Sequence, residues 1–165
     1  MKKLLSILLL TVILFGTFSF STIAQSQENV ETNGKIVSTD VLHFNDGSYI
    51  TITVLDTTLN SSLRSTYTKS GTKTYTMVNS SGDVLWKFTV KGTFSVNSGV
   101  SATCTSTSYS TSSLASGWSL KSGSSYASGN KAIGDGTFEH KVLFIVTDTK
   151  SCHVVLTCDS NGNLS

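Results

Sequence analysis

The alternation in Val84-Leu85-Trp86-Lys87-Phe88-Thr89-Val90-Lys91 constrains the fold of this chain more than any other feature. Val84, Trp86, Phe88 and Val90 fall on one side of an extended segment, and Leu85, Lys87, Thr89 and Lys91 fall on the other. Side chains repeat every second residue across a strand but every 3.6 residues around a helix. The pattern therefore reads as a half-buried strand with a large aromatic load on its inner face. Residues 73–79 form a second arm, and Ser80-Ser81-Gly82-Asp83 between the two arms is a glycine-containing loop of hairpin length.

The rest of the chain follows the same grammar. Asp46-Gly47 is a turn signal that leads into alternation of Ile50, Ile52 and Val54 with Tyr49, Thr51 and Thr53. Residues 56–71 lose that period and read as a long loop or linker, with a short helical turn over 59–63. Gly92 marks a bulge or kink before Thr93-Phe94-Ser95-Val96. After the Asn97-Ser98-Gly99 turn, Val100, Ala102 and Cys104 share one face. Residues 106–116 are low-complexity Ser/Thr and read as a strand end plus loop.

Trp118 and Leu120 then define a short strand, followed by a Ser/Gly-rich stretch to Gly129 and another short strand over 131–134. Asp135-Gly136 reads as a turn into residues 137–147. The continuously apolar centre of that segment, Val142-Leu143-Phe144-Ile145-Val146, is expected to be a central strand covered on both faces. Thr147-Asp148-Thr149-Lys150 would close a last hairpin onto residues 151–158, and Asp159-Ser160-Asn161-Gly162-Asn163 is a polar turn. Roughly seven to nine short strands without a helix-period segment predict an all-β, antiparallel β-sandwich, with a β-barrel as the alternative.

The N-terminus carries an address. Lys2 and Lys3 precede an apolar run over residues 4–20, and Thr22-Ile23-Ala24 places small residues at −3 and −1. This is the pattern of a secretory signal peptide cleaved between Ala24 and Gln25. A membrane anchor competes, because the run approaches the roughly 17 residues of a short span. The cleavage site and the lack of a basic flank after it favour the cleaved peptide. The expected organisation is a signal peptide over 1–24, a flexible leader over 25–45 and one β-sandwich domain over 46–165.

Cleavage would leave roughly 140 residues, enough for one domain with its own core. It would also remove the net charge. Of 12 basic residues two lie in the peptide, and all 10 acidic residues lie beyond it. A neutral mature chain has no electrostatic pull toward nucleic acid or an anionic membrane. Serine and threonine dominate, yet proline is absent, and the regular aromatic and β-branched positions argue for a folded β-domain rather than a disordered tail. No cysteine follows the apolar run for lipid attachment, a wall-sorting LPxTG signal needs proline, and no second apolar span follows. The mature chain is expected to be secreted into the extracellular space, with no stable membrane insertion.

Candidate chemistry is sparse. In an exported chain Cys104, Cys152 and Cys158 are disulfide candidates first. Cys152 and Cys158 sit roughly 20 Å apart on one extended strand, beyond the ~7 Å Cα separation a bridge allows. Cys104 is left to pair with either or with neither. His43, His140 and His153 have no metal-ligand spacing with each other or with cysteine, so no metal or other cofactor is expected. The chain has no G-x-S-x-G elbow, and serine is too abundant for any Ser-His-Asp combination to be informative. Asp83, Asp135 and Asp159 lie in expected turns, where aspartate serves the backbone. Trp86, Phe88, Phe94, Trp118, Phe138 and Phe144 read as core more readily than as a sugar-stacking platform. Tyr49, Tyr67, Tyr109 and Tyr126 lie among hydroxyl residues and are expected to be exposed.

Four segments in order, Asp46-Gly47-Ser48-Tyr49-Ile50, Lys73-Thr74-Tyr75-Thr76, residues 84–94 and the ending Leu156-Thr157-Cys158-Asp159 through Ser165, resemble a family of small secreted proteins of unknown function from Gram-positive, often gut-dwelling bacteria. The likeness spans residues 46–165 and rests on strands, turns and aromatic positions. It implies a compact exported β-domain and carries no catalytic residues over. It also implies that Cys104 pairs with Cys158, leaving Cys152 odd. Such a bridge would close a loop of about 54 residues and stabilise by about 4 kcal/mol in the chain-entropy model. The functional expectation is a non-enzymatic protein that binds envelope polymer or an extracellular protein. The alternative is an antimicrobial or toxin-like protein acting on neighbouring cells.

Overall fold

A computed structural model of the protein describes residues 34–58 and 65–165. The expected signal peptide with its Ala24/Gln25 junction, the first part of the expected leader and the expected short helical turn over 59–63 lie outside the described residues. Eight antiparallel strands form two sheets. β1 (Lys35–His43), β2 (Tyr49–Asp56), β3 (Thr66–Val78), β4 (Val84–Asn97) and β5 (Ser101–Ser112) follow one another in a five-stranded sheet. β6 (Trp118–Ser128), β7 (Lys131–Val142) and β8 (Ile145–Thr157) make a three-stranded sheet in the same sequential order. Neither sheet closes on itself, so the architecture is a β-sandwich and not a barrel.

The alternation in β4 becomes the centre of the core. Trp86, Phe88, Val90, Phe94 and Val96 are buried and face Phe138, Val154 and Leu156 of the smaller sheet. Trp86 lies flat on Phe138 with ring centroids 4.2 Å apart and planes 6° from parallel. Phe88 meets Phe138 edge-on at 6.2 Å and 88°, the offset and perpendicular geometries that aromatic quadrupoles favour. The three-stranded sheet packs on β3, β4 and β5, leaving β1 as a largely exposed edge strand.

Several expected boundaries move. β1 occupies Lys35–His43, inside the stretch read as leader, because its partner β2 supplies the hydrogen bonds that its own sequence gives no sign of needing. The loop after β2 is shorter than expected, since β3 starts at Thr66 and pairs with the far end of β4. β4 runs through Gly92 unbroken, and the shift in register falls at Thr93/Phe94 against β5. The Ser/Gly-rich residues after Trp118 belong to β6.

The largest corrections concern β7 and β8. Asp135-Gly136 is no turn but mid-strand, with Asp135 opposite both Ser124 and His153. Gly134 and Gly136 are there for close approach. A Cβ on Gly136 would meet the Phe88 ring at 2.7 Å, and one on Gly134 would overlap Val90. Thr147-Asp148-Thr149-Lys150 likewise lies within β8 and closes no hairpin. Residues 142–146 do not form a covered central strand. They are the exposed tip of the β7–β8 hairpin, where Val142 pairs with Ile145 around a two-residue turn.

Candidate functional site at one end of the sandwich

Because every neighbouring strand is antiparallel, the β1–β2, β3–β4 and β7–β8 turns and the β5–β6 crossing all lie at one end of the domain. These connections are tied together. A Cβ on Gly47 would come within 3.2 Å of the Ser80 side chain. Ala115 N–H donates to Leu85 O at 2.8 Å, and Lys141 N–H donates to Gly117 O at 2.9 Å. The Ser48 hydroxyl and N–H hold the Asp46 carboxyl below the usual carboxylate range, with the Lys150 charge adding to the effect.

Exposed apolar side chains collect at this end: Phe44, Val84, Leu114 and the run over 142–146. Within the run Leu143 is 86%, Phe144 98% and Ile145 68% exposed. Scattered exposed apolars are ordinary, but five in succession on a protruding tip make this end the candidate interaction surface. A second group, Ile36, Val37, Val41 and Leu42, runs along the edge strand β1.

The tip backbone makes the case independently. A two-residue hairpin turn of the type that matches strand twist needs positive φ at both central residues, which is why Asn-Gly and Asp-Gly dominate there. Leu143 and Phe144 hold φ values of 47° and 70°. Among the described residues only Ser113 joins them as a non-glycine with positive φ. Bulky side chains in this region cost about 1 kcal/mol or more each. The strain costs stability, and side chains left in water repay none of it by burial.

Below the tip the hairpin turns polar. His140 packs obliquely on Trp118 at 5.4 Å and its Nδ1 shares a 2.7 Å hydrogen bond with the Thr147 hydroxyl. Lys121 and Lys141 reach Glu139 at 2.6 and 3.4 Å, and Lys150 lies 3.7 Å from Asp148. The Lys121 hydrogen bond, reinforced by Lys141, holds the Glu139 carboxyl below its ordinary range.

The residues singled out for chemistry scatter. His153 Nδ1 lies 2.6 Å from Asp135 Oδ1 on the open outer face of the smaller sheet. Ser124 is on the other side of Asp135 in the register. Two strand spacings, about 9.6 Å, separate the serine backbone from that of His153. Asp135 therefore separates Ser124 from His153 in the register. His43 packs on Tyr49 at 5.5 Å and 42°, far from both other histidines in the sheet order. Asp159 and Asp83 serve turns as expected. Asp159 accepts from the N–H groups of Asn161 and Asn163 at 2.8 Å, and Asp83 accepts from the Asn79 amide at 3.0 Å.

The implied Cys104–Cys158 bridge is absent, and all three cysteines are free buried thiols. Each of the two sulfurs turns to a nearby carbonyl. Cys104 Sγ donates to Ser106 O at 3.4 Å and Cys158 Sγ to Asp159 O at 3.6 Å. Burial pushes the Cys152 thiol up to about 12 and the Cys158 thiol up to about 11, so neither is a nucleophile near neutral pH. Of the aromatics, Trp86, Phe88, Phe94 and Phe138 are core as expected, whereas Phe144 is the most exposed of the apolar residues at the tip. Tyr109 and Tyr126 are exposed, while Tyr49 and Tyr67 are half-buried. The Tyr67 hydroxyl donates to Asn161 O at 3.0 Å.

The tip escaped the sequence reading because five consecutive apolar residues without Gly or Asn carry no turn signal. No protein-family model matches the chain, and no curated protein or solved structure is similar to it.

Proposed function

We propose that this protein is an exported, non-enzymatic β-sandwich that acts at or beyond the cell surface by binding, and that it docks through the apolar end built around the β7–β8 tip. The observation that carries this reading is the uninterrupted exposure of residues 142–146 on a turn held at positive φ by Leu143 and Phe144. Export is supported by the basic, apolar and small-residue succession over 1–24. Absence of catalysis is supported by the separation of Ser124 from His153 and by thiols whose burial keeps them protonated.

The test compares the natural chain with the double variant L143N/F144G on isolated envelope material. Asn-Gly is the turn that this backbone prefers, so the variant removes the apolar tip without threatening the fold. Retention of the natural chain and loss of the variant is the expected result. Equal retention of both, or of neither, would sink the reading.

A second reading is favoured by the same tip. A secreted protein with an apolar prong suits an antimicrobial or toxin-like role on neighbouring cells. Growth inhibition by the natural chain, abolished in L143N/F144G, would establish it.

A further inference from the structure

We infer that the surface met by this end is the interfacial zone of a lipid bilayer, which the β7–β8 tip enters as a shallow, reversible wedge. This rests on the docking reading above and names its partner.

The distribution of apolar side chains around the tip decides between a bilayer and a protein groove. Successive residues of a strand point to opposite faces, so a run of five apolar residues through a two-residue turn makes both faces of the tip apolar. A protein groove shields one face of a hairpin and leaves the other in water. A hydrocarbon medium shields both.

The spacing of the next layer also fits. Lys141 and Val146 are paired just below Val142 and Ile145. At about 3.3 Å per residue the lysine stands roughly 8 Å from the turn, within the ~5–10 Å to which interfacial segments sink. His140 and Trp118 follow at the next level, the place where amphipathic rings meet headgroups. Lys121 and Lys150 stand lower, at about the level of Phe138, and the three lysines are balanced by Glu139, Asp148 and Asp46.

Magnitudes set the character of the binding. Leu143, Phe144 and Ile145 are the three most exposed residues of the run, and full burial of a side chain of this size favours partitioning by roughly ten- to hundredfold. Three such chains are far short of a span of ~20 apolar residues, so attachment is reversible. Three lysines against the three carboxylates Glu139, Asp148 and Asp46 leave no net charge around the collar. Neutral lipid therefore suffices, and anionic lipid adds at most a few-fold.

The test places a reporter at the tip itself. Phe144→Trp in a Trp118→Phe background leaves Trp86 as the other indole, sealed in the core at 1% exposure. The mature chain, residues 25–165, is mixed with phosphatidylcholine vesicles whose acyl chains carry bromine at shallow or deep positions. The expected result is a blue shift at residue 144, with stronger quenching by shallow than by deep bromines. L143N/F144G should bind these vesicles at least tenfold more weakly than the natural chain, and one-third phosphatidylglycerol should tighten binding by no more than about tenfold. No shift and no quenching, with envelope material still held through the tip, would overturn the bilayer and leave the docking reading standing. Vesicle binding unchanged in L143N/F144G would show that the tip is not the wedge and would also overturn the proposal. If L143N/F144G matched the natural chain on both vesicles and envelope material, the docking reading would fall as well.

Discussion

Trp86 of the larger sheet lies nearly parallel to Phe138 of the smaller one, 4.2 Å between ring centroids, and this stack joins the two layers. Both residues are buried, and Phe88 abuts the same Phe138 ring edge-on. Phe138→Ala would open a cavity with two aromatic walls. Large-to-small changes of this kind cost about 3–5 kcal/mol, a large share of the 5–15 kcal/mol that holds a domain together. Urea denaturation should show an unfolding free energy lower by that amount. A change below about 1 kcal/mol would mean that the sheets are held elsewhere.

Gly136 faces Phe88 so closely that any side chain must displace it. Its added Cβ would sit 2.7 and 2.8 Å from two Phe88 ring carbons and 3.1 Å from Cys152 Sγ. Gly136→Ala is expected to destabilise by about 1–3 kcal/mol through overpacking, despite the better strand propensity of alanine. Trimming the obstacle in Gly136→Ala/Phe88→Leu should make the two changes non-additive. Strict additivity in thermal melts would contradict the contact.

At the tip the sign reverses. Replacing Leu143-Phe144 by Asn-Gly relieves two side chains held at φ 47° and 70°. The expected gain is about 1–2 kcal/mol, read as a rise in Tm. A fall in Tm would mean that the two side chains stabilise the fold, and the argument for strain kept for binding would fail.

Acid should weaken the domain through carboxyls held ionised by the fold. Asn163, by side chain and backbone, holds the Asp159 carboxyl below its ordinary 3.8, and Lys121 holds Glu139 below 4.5. A carboxyl depressed in the folded state contributes stability above its unfolded value and loses it as pH falls through the lower folded value. The urea midpoint is therefore expected to be level from neutrality to about pH 5 and to fall below about pH 4. Asp159→Asn should lower the neutral midpoint and flatten the acid limb. An unchanged acid limb would remove Asp159 from the account.

The three thiols give a last check. Cys104, Cys152 and Cys158 are free and buried, with Cys152 at about 12 and Cys158 at about 11. At pH 8 a disulfide exchange reagent should label none of them rapidly in the folded protein and all three in denaturant. Only one thiol released in denaturant would mean that two are bridged.

The residues of β4 show how far sequence reaches. Trp86, Phe88 and Val90 alternate with polar neighbours, so their strand, its hairpin with β3 and their burial were legible without a partner in view. Local pattern suffices there because one face meets water and the other does not. The sandwich class followed from repetition of that pattern, and the turns at Gly82 and Asp159 from side chains that bond their own backbone.

Where the deciding neighbour is distant in sequence, the pattern misleads. Asp135-Gly136 resembles a turn, but Phe88 across the sandwich requires the smallness of Gly136, as Val90 does that of Gly134. β1 has little pattern of its own and exists because β2 offers it hydrogen bonds. Residues 142–146 are the sharpest case. Composition determined only that five apolar residues stand together, and such a run reads equally as the centre of a sheet or as a prong beyond it. The two are separated by where the opposite sheet ends, a long-range distance that no local period encodes. The sequence by itself settled what this chain is made of and how its core strands are faced. Only the tertiary structure decided that its most apolar segment is left outside.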